Sequence, residues 1–455
     1  MGGGIAGLAA AWLLSRRHDV ALYEKDGRLG GHSHTVDARL PDGRSIAVDT
    51  GFIVYNERNY PNLTALFATL GVATRPSDMS FSVSIDDGRL EWAGDSLWKL
   101  FGQPANLVRP RFHRMLRDIL RFNRDARAAL RNGGLGAMPL GRFLLSQRYG
   151  PGLARDYLLP MGAAIWSAPP AAMLAFPAES FLRFFDNHGL LDLRDRPLWR
   201  TVDGGSRRYV DRLAAALGPA VRTGRAVRLV ARNAHGVTVI DRHGERERFD
   251  QLVLACHADQ AADLLSDADP AEAAVLRSIR FQVNEAVLHG DPRLMPQRRR
   301  LWSSWNYMAG REAGGEDRVS VSYWMNRLQG LDRRHPLFVT LNPARQPALS
   351  QVYGRFRYAH PMFDAAACAA QARLPAIQGQ RRTWYCGSWT GHGFHEDGLA
   401  SAIGIALSLG AAPPWRTEVR PAAPGRPATP LTVSGSERPR QHAAGMAGRR
   451  AAAAE

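Results

Sequence analysis

The stretch MGGGIAGLAAAWLLSRRHDVALYEKDGRLGGH, residues 1–32, decides the fold. Gly2, Gly4 and Gly7 fit the pattern G-x-G-x-x-G, with Ala6 inside it and an apolar run behind it. Glycine allows first a tight turn, then close approach of backbone to a pyrophosphate, then close helix packing. A helix opening there turns free N–H groups and a partial positive charge toward phosphate. DVALYEK, residues 19–25, reads as a strand ending in Glu24 and Lys25. Glu24 stands 20 residues beyond Gly4, where an acid accepts hydrogen bonds from ribose hydroxyls. Helix pattern, strand and acid at this spacing make a dinucleotide-binding unit. A second Gly-Gly, Gly30–Gly31, follows with His32, and its backbone is expected to lie against the same ligand near a phosphate.

The rest of the composition narrows the class. The chain has 455 residues, 45% hydrophobic and 22% charged, enough for two or three lobes with a sizeable core. No run of about 20 apolar residues predicts a membrane span. No signal peptide is evident. Cys256, Cys368 and Cys386 form neither a disulfide framework nor a CxxC pair, so a reducing cytoplasm is the expected compartment. The net charge of +17 comes almost wholly from arginine, spread along the chain without a nucleic-acid-reading motif, so no nucleic-acid partner is expected.

The far end supplies a partner motif. Residues 384–410 read WYCGSWTGHGFHEDGLASAIGIALSLG: an aromatic strand ending at Gly387, a loop, and a small-residue helix expected from about Gly398 to Leu409. His392, His395 and Glu396 lack the two-histidine helical spacing and further ligands of a metal site, so no metal is expected.

With these residues in view, the chain resembles the FAD-dependent amine-oxidase-like flavoproteins. It is most similar to a subgroup of NAD/FAD-binding oxidoreductases whose domain is also fused to plant cyclopropane-fatty-acid synthases. The resemblance rests on GGGIAGLAAAWLL, YEKDGRLGGHSHTV, VDTGFIVYNERNYPNLTALFATLGV, SDMSFSVSI, AIWSAP, FDNHGLL, VDGGSRRYV, LVLACHADQA, WMNRLQ, TLNP and CGSW…GFHEDGLASA, which span residues 2 to about 410.

It implies an α/β fold of the two-dinucleotide-binding-domain flavoprotein type, with a Rossmann-like parallel sheet and an α+β substrate domain. The FAD-binding domain would be discontinuous, over 1–75, 200–270 and 345–410, and the substrate domain would take 76–199 and 271–344. Residues 411–455, rich in Pro, Ala, Gly and Arg, are expected to be a disordered tail. FAD is the implied cofactor. Val227 would meet adenine through its backbone, Gly51 and Phe52 would lie beside the flavin, and Gly387, Glu396, Asp397, Gly398 and Leu399 would carry the helix start to the pyrimidine ring. In this fold the strand before Gly2 is central in the sheet, and each buried backbone group orphaned by its loss costs about 1–3 kcal/mol. The quoted start is therefore expected to be internal, with Met1 the last residue of that strand.

The implied chemistry is two-electron oxidation, hydride passing from a substrate C–H to flavin N5. Many amine oxidases hold a water near N5 with a lysine, and this chain has no lysine after Lys99. Phe394 falls where such enzymes place an aromatic cage residue, without an evident paired tyrosine. A lipid or fatty acyl substrate is favoured, with amine oxidation and a non-catalytic FAD-bound partner of a lipid methyltransferase as alternatives. Residues 109–130 form a helix with Phe112, Met115, Leu116, Ile119 and Leu120 on one face among arginines, which would either pack inward or rest on an anionic membrane. Trp166, His188 and His257 are candidates for lining the cavity or for structural roles, Cys386 is expected to point into the sheet, and no catalytic acid or base is assigned.

Overall fold

The computed structural model describes residues 1–192, 196–311 and 317–422. The first lobe is built on parallel strands. Leu22–Tyr23 pairs with Val221–Arg222, and Leu252–Leu254 pairs with Thr383–Tyr385. Met1 and Gly2 join the two pairs: the Met1 amino group donates to Val253 O at 2.7 Å, Ala255 N donates to Met1 O, and Gly2 N donates to Tyr23 O, both at 2.8 Å.

The first helix, Ile5–Leu14, is apolar on every side, and all of its residues except Trp12 are buried. It lies beside the last helix, His395–Ser408, whose small residues permit close approach. A Cβ on Gly398 would stand 3.2 Å from Ile5 Cγ2. Arg207–Leu217 completes the layer with Tyr209, Val210, Leu213 and Leu217 inward, and ends at Gly218 with φ 52°. An antiparallel meander, Val227–Asn233, Gly236–Asp241 and Arg246–Phe249, covers the other face.

The second lobe carries a seven-stranded mixed sheet. Its order is Val352–Pro361, Phe281–His289, Phe338–Leu341, Asp317–Trp324, Trp305–Arg311, Phe81–Ile85, Leu90–Ala93, with one parallel pair between Trp305–Arg311 and Phe81–Ile85. Phe81–Ile85 and Leu90–Ala93 form a hairpin that turns with φ positive at Asp86, Asp87 and Gly88. Strand Val352–Pro361 departs from the expected division: it bonds along Phe281–His289 instead of joining the cofactor lobe. Its alternation of Phe356, Tyr358 and His360 on one side suits a sheet edge that also closes a cavity.

One further expectation is corrected. Residues 411–422 pack on the first lobe rather than leaving it. Trp415 stacks on Trp12 at 6.2 Å, Thr417 donates to Asn62 Oδ1, and Ala422 N donates to Gly404 O. Residues 423–455 lie outside the described residues. The helix over 109–130, seen as Pro110–Asn132, turns Phe112, Met115, Phe122 and Ala126 into the second lobe's core, which is the inward of its two readings, and leaves Leu120 exposed. No helix among the described residues is long and apolar enough to cross a membrane.

Candidate functional site

The first turn sets the site. Gly7 cannot carry a side chain, because a Cβ would fall 1.7 Å from Gly2 O; Gly4 has no protein atom within 4 Å of where its Cβ would be. One glycine is therefore required by packing, and the other faces open space. The helix starting at Ile5 has no side-chain cap, so its first N–H groups remain available to a ligand. Gly30 closes the turn from the far side, with its N–H on Gly3 O at 2.7 Å and φ 103°. Glu24 accepts from Gly3 N at 2.6 Å and from Asp26 N at 2.8 Å, which leaves lone pairs for a ribose hydroxyl.

These segments line a single cavity of about 870 Å³ that both lobes share. Of the residues expected in the site, Gly2, Gly4, Ala6, Glu24, Lys25, Gly30, Gly31, His32, Gly51, Phe52, Val227 and Gly387 lie on its wall. Gly7, Glu396, Asp397, Gly398 and Leu399 do not. The last helix starts one turn earlier than expected, at His395, because Asp397 accepts from Phe394 N at 2.9 Å and caps it. Glu396 reaches the start of helix Pro61–Leu70, accepting from Asn62 N and Leu63 N at 3.0 Å and Asn62 Nδ2 at 2.7 Å. Leu399 is core, packed with the first helix. Gly393, Phe394 and His395 form the wall at this end. An acid three residues after a cap position is a readable start signal, and it locates this helix better than the glycine did.

Histidines dominate the middle of the cavity. His32 and His360 approach to 5.2 Å between ring centroids, and His32 and His257 to 6.4 Å. Burial pushes His32 and His257 down to about 4, and His360 and His395 to about 3. All four are neutral rings at pH 7. His32 Nε2 is buried without a protein partner. His395 is fixed by stacking on Phe52 at 3.7 Å and by Ser33 Oγ at 2.8 Å, so residues 33, 52 and 395 form one unit. Tyr358 and His360 were not anticipated; their period-two placement on residues 352–361 was the available signal.

At the Phe394 end of the cavity stand Phe184 and His188. Phe184 stacks on Phe394 at 5.0 Å and on His188 at 3.8 Å. Burial lowers His188 to about 4, and its Nδ1 bonds Phe184 O. Trp166 lines this end too and packs on Phe176, Phe181 and Phe184. Cys386 is buried against Ala6 and Ile405, away from the cavity wall.

The model of the flavin containing amine oxidoreductases matches residues 5–345. The chain belongs to that family. AofH of Mycobacterium tuberculosis, whose name describes a flavin-containing monoamine oxidase, is 27% identical over 363 residues, covering 75% of this chain and 69% of AofH. Among solved structures, cyclohexylamine oxidase from Brevibacterium oxydans superposes with a TM-score of 0.65 at 16% identity, over 90% of this chain and 98% of that one. A CLA-producing fatty acid isomerase from P. acnes gives 0.61, also at 16% identity, over 89% and 97%.

Membership makes this flavoprotein an FAD-dependent oxidoreductase, and the cradle fits FAD. The open face of Gly4 admits a pyrophosphate against the helix start, the orphaned His32 Nε2 awaits a polar ligand atom, and Lys25, Arg28 and Arg225 supply positive charge along the wall.

Proposed function

We propose that this oxidoreductase removes hydride from a C–H bond of an apolar acyl-chain substrate. The observation that carries the reading is the composition of the wall that the second lobe gives the cavity. Ile165, Trp166, Phe184, Trp305, Leu341 and other apolar groups line it, together with His188. Among the described residues, the acids on the cavity wall are Glu24, Asp26 and Asp263, all in the cofactor lobe. A cationic amine would meet no carboxylate there. Phe394, the counterpart of a cage residue, has Phe184 stacked on it, and no lysine follows Lys99 in the chain to hold a water near the flavin. Bound flavin supplies the two-electron acceptor. The chain's residues bind the substrate by apolar burial, exclude water and hold the reacting carbon in place.

The test is anaerobic titration of the FAD-loaded protein with fatty acids and acyl lipids, followed by the loss of the flavin's visible absorbance. Bleaching by acyl compounds, with no hydrogen peroxide released on an amine panel in air, supports the proposal. Bleaching by amines alone reverses it, and no bleaching by any lipid favours a non-catalytic FAD-bound partner.

A further inference from the structure

Four large apolar side chains stand out to solvent within residues 97–108. Trp98 is 91% exposed, Val108 81%, Leu97 75% and Leu107 58%. Single exposed apolar residues are ordinary, whereas a group of them on one rigid segment marks an interaction surface. This segment is rigid. Ser96 caps the short helix Leu97–Leu100 through Lys99 N. Phe101 turns inward onto Phe112 and His113, each at 5.9 Å. His113 Nε2 holds Leu107 O at 2.8 Å. The inner side chains do the packing, and Leu97, Trp98, Leu107 and Val108 are left outside it.

The adjoining helix Pro110–Asn132 carries the charge. Residues 97–132 contain nine Lys and Arg against two Asp, a net charge of +7. Both acids are engaged locally, Asp118 by Arg121 and by Gly150 N, Asp125 by Arg124 and the Tyr149 hydroxyl. Arg109 bonds only the neutral Gln103 and Asn106. Arg114 and Arg117 are exposed on the outer face, with Leu120, 55% exposed, one turn on.

We propose that this face docks on an anionic phospholipid surface. Leu97, Trp98, Leu107 and Val108 enter the boundary between headgroups and acyl chains, and Arg109, Arg114 and Arg117 pair with phosphates. The indole ring is amphipathic and favours that boundary. The guanidinium fork matches phosphate oxygens, and basic residues beside inserted apolar ones give the two-signal anchoring that stable peripheral binding needs. Charge complementarity selects this occupant. A second copy packed on the same face would set Arg109, Arg114 and Arg117 against the same three arginines, and a nucleic acid would leave the apolar group without a use. The proposal does not depend on the substrate being a lipid.

Flotation of the FAD-loaded protein with phosphatidylglycerol–phosphatidylcholine vesicles tests it, with pure phosphatidylcholine vesicles as comparison. Binding to the anionic vesicles is expected, weakening as salt rises from about 0.1 M to about 1 M. Trp98→Ala should weaken it about tenfold, and the pair Arg114→Glu and Arg117→Glu by more than about tenfold. Trp98 is so exposed that its replacement should leave the melting temperature unchanged. The proposal is overturned if anionic vesicles are not bound, if neutral ones bind equally, or if Trp98→Ala binds like the parent. Concentration-dependent self-association without vesicles, abolished by Trp98→Ala, would instead assign the face to a second copy.

Discussion

Gly4→Ala separates cofactor binding from folding. Gly4 has φ −76° and ψ −175°, a conformation open to alanine, and its new methyl would meet no protein atom within 4 Å. The apoprotein should therefore keep its stability to within about 0.5 kcal/mol. The methyl would occupy the space beside the first N–H groups of helix Ile5–Leu14, where a pyrophosphate would be held. A phosphate displaced by that methyl loses at least one charge-assisted hydrogen bond, worth about 1.5–3 kcal/mol. FAD affinity should then fall by about tenfold to somewhat over a hundredfold. Quenching of flavin fluorescence measures the affinity, and thermal melting with and without FAD measures the stability. Gly7→Ala is the contrast: with its Cβ 1.7 Å from Gly2 O, it should lower the melting temperature without any ligand present. The reasoning is refuted if Gly4→Ala binds FAD as tightly as the parent, or if its apo form melts several degrees lower.

Other perturbations give distinct signatures. Glu24→Ala leaves Gly3 N and Asp26 N without their acceptor; at about 1–3 kcal/mol for each orphaned donor, it should lower both apo stability and FAD affinity, read by the same two assays. Burial raises Glu396 to about 7 from 4.5, so the folded protein holds a proton that the unfolded chain releases. That contribution to stability is complete below about pH 4.5 and is lost as pH rises through about 7. Glu396→Gln should flatten the fall of melting temperature over this interval, and an unchanged slope would contradict the assignment. Ile165→Trp fills part of the cavity wall contributed by the second lobe; FAD content should persist while KM for long acyl chains rises more than for short ones, as steady-state kinetics would show.

The cofactor lobe was readable because its constraints are local. A fixed glycine spacing, an acid 20 residues on and a second Gly-Gly each answer one demand of a phosphate or a ribose, and all of them except the packed Gly7 lie on the cavity wall. Glu396 and Asp397 were misplaced because the position of a carboxylate along a helix does not say which backbone it will cap. Glu396 turned to the start of helix Pro61–Leu70 and Asp397 to Phe394 N at the cap of its own helix, and Phe394 and His395 took the wall instead. Strand Val352–Pro361 was assigned to the wrong lobe for a related reason: its pairing with Phe281–His289 is set by partners about 70 residues away. The apolar end of the cavity was only partly legible, since Trp166, Phe184 and Trp305 carry no spacing signature of their own. Trp415 was missed because an isolated aromatic in a proline- and alanine-rich run does not show that Trp12 lies beneath it.

The arrangement of the parallel strands has a consequence for shortened chains. Neighbours across that sheet come from residues 221–222, 22–23, 1–2, 252–254 and 383–385, and the carboxylate of Glu396 secures the start of the helix at residue 61. The glycine turn alone cannot enclose a nucleotide, because Gly387 and Gly393–His395 complete the wall. A chain interrupted before residue 383 should therefore come out colourless.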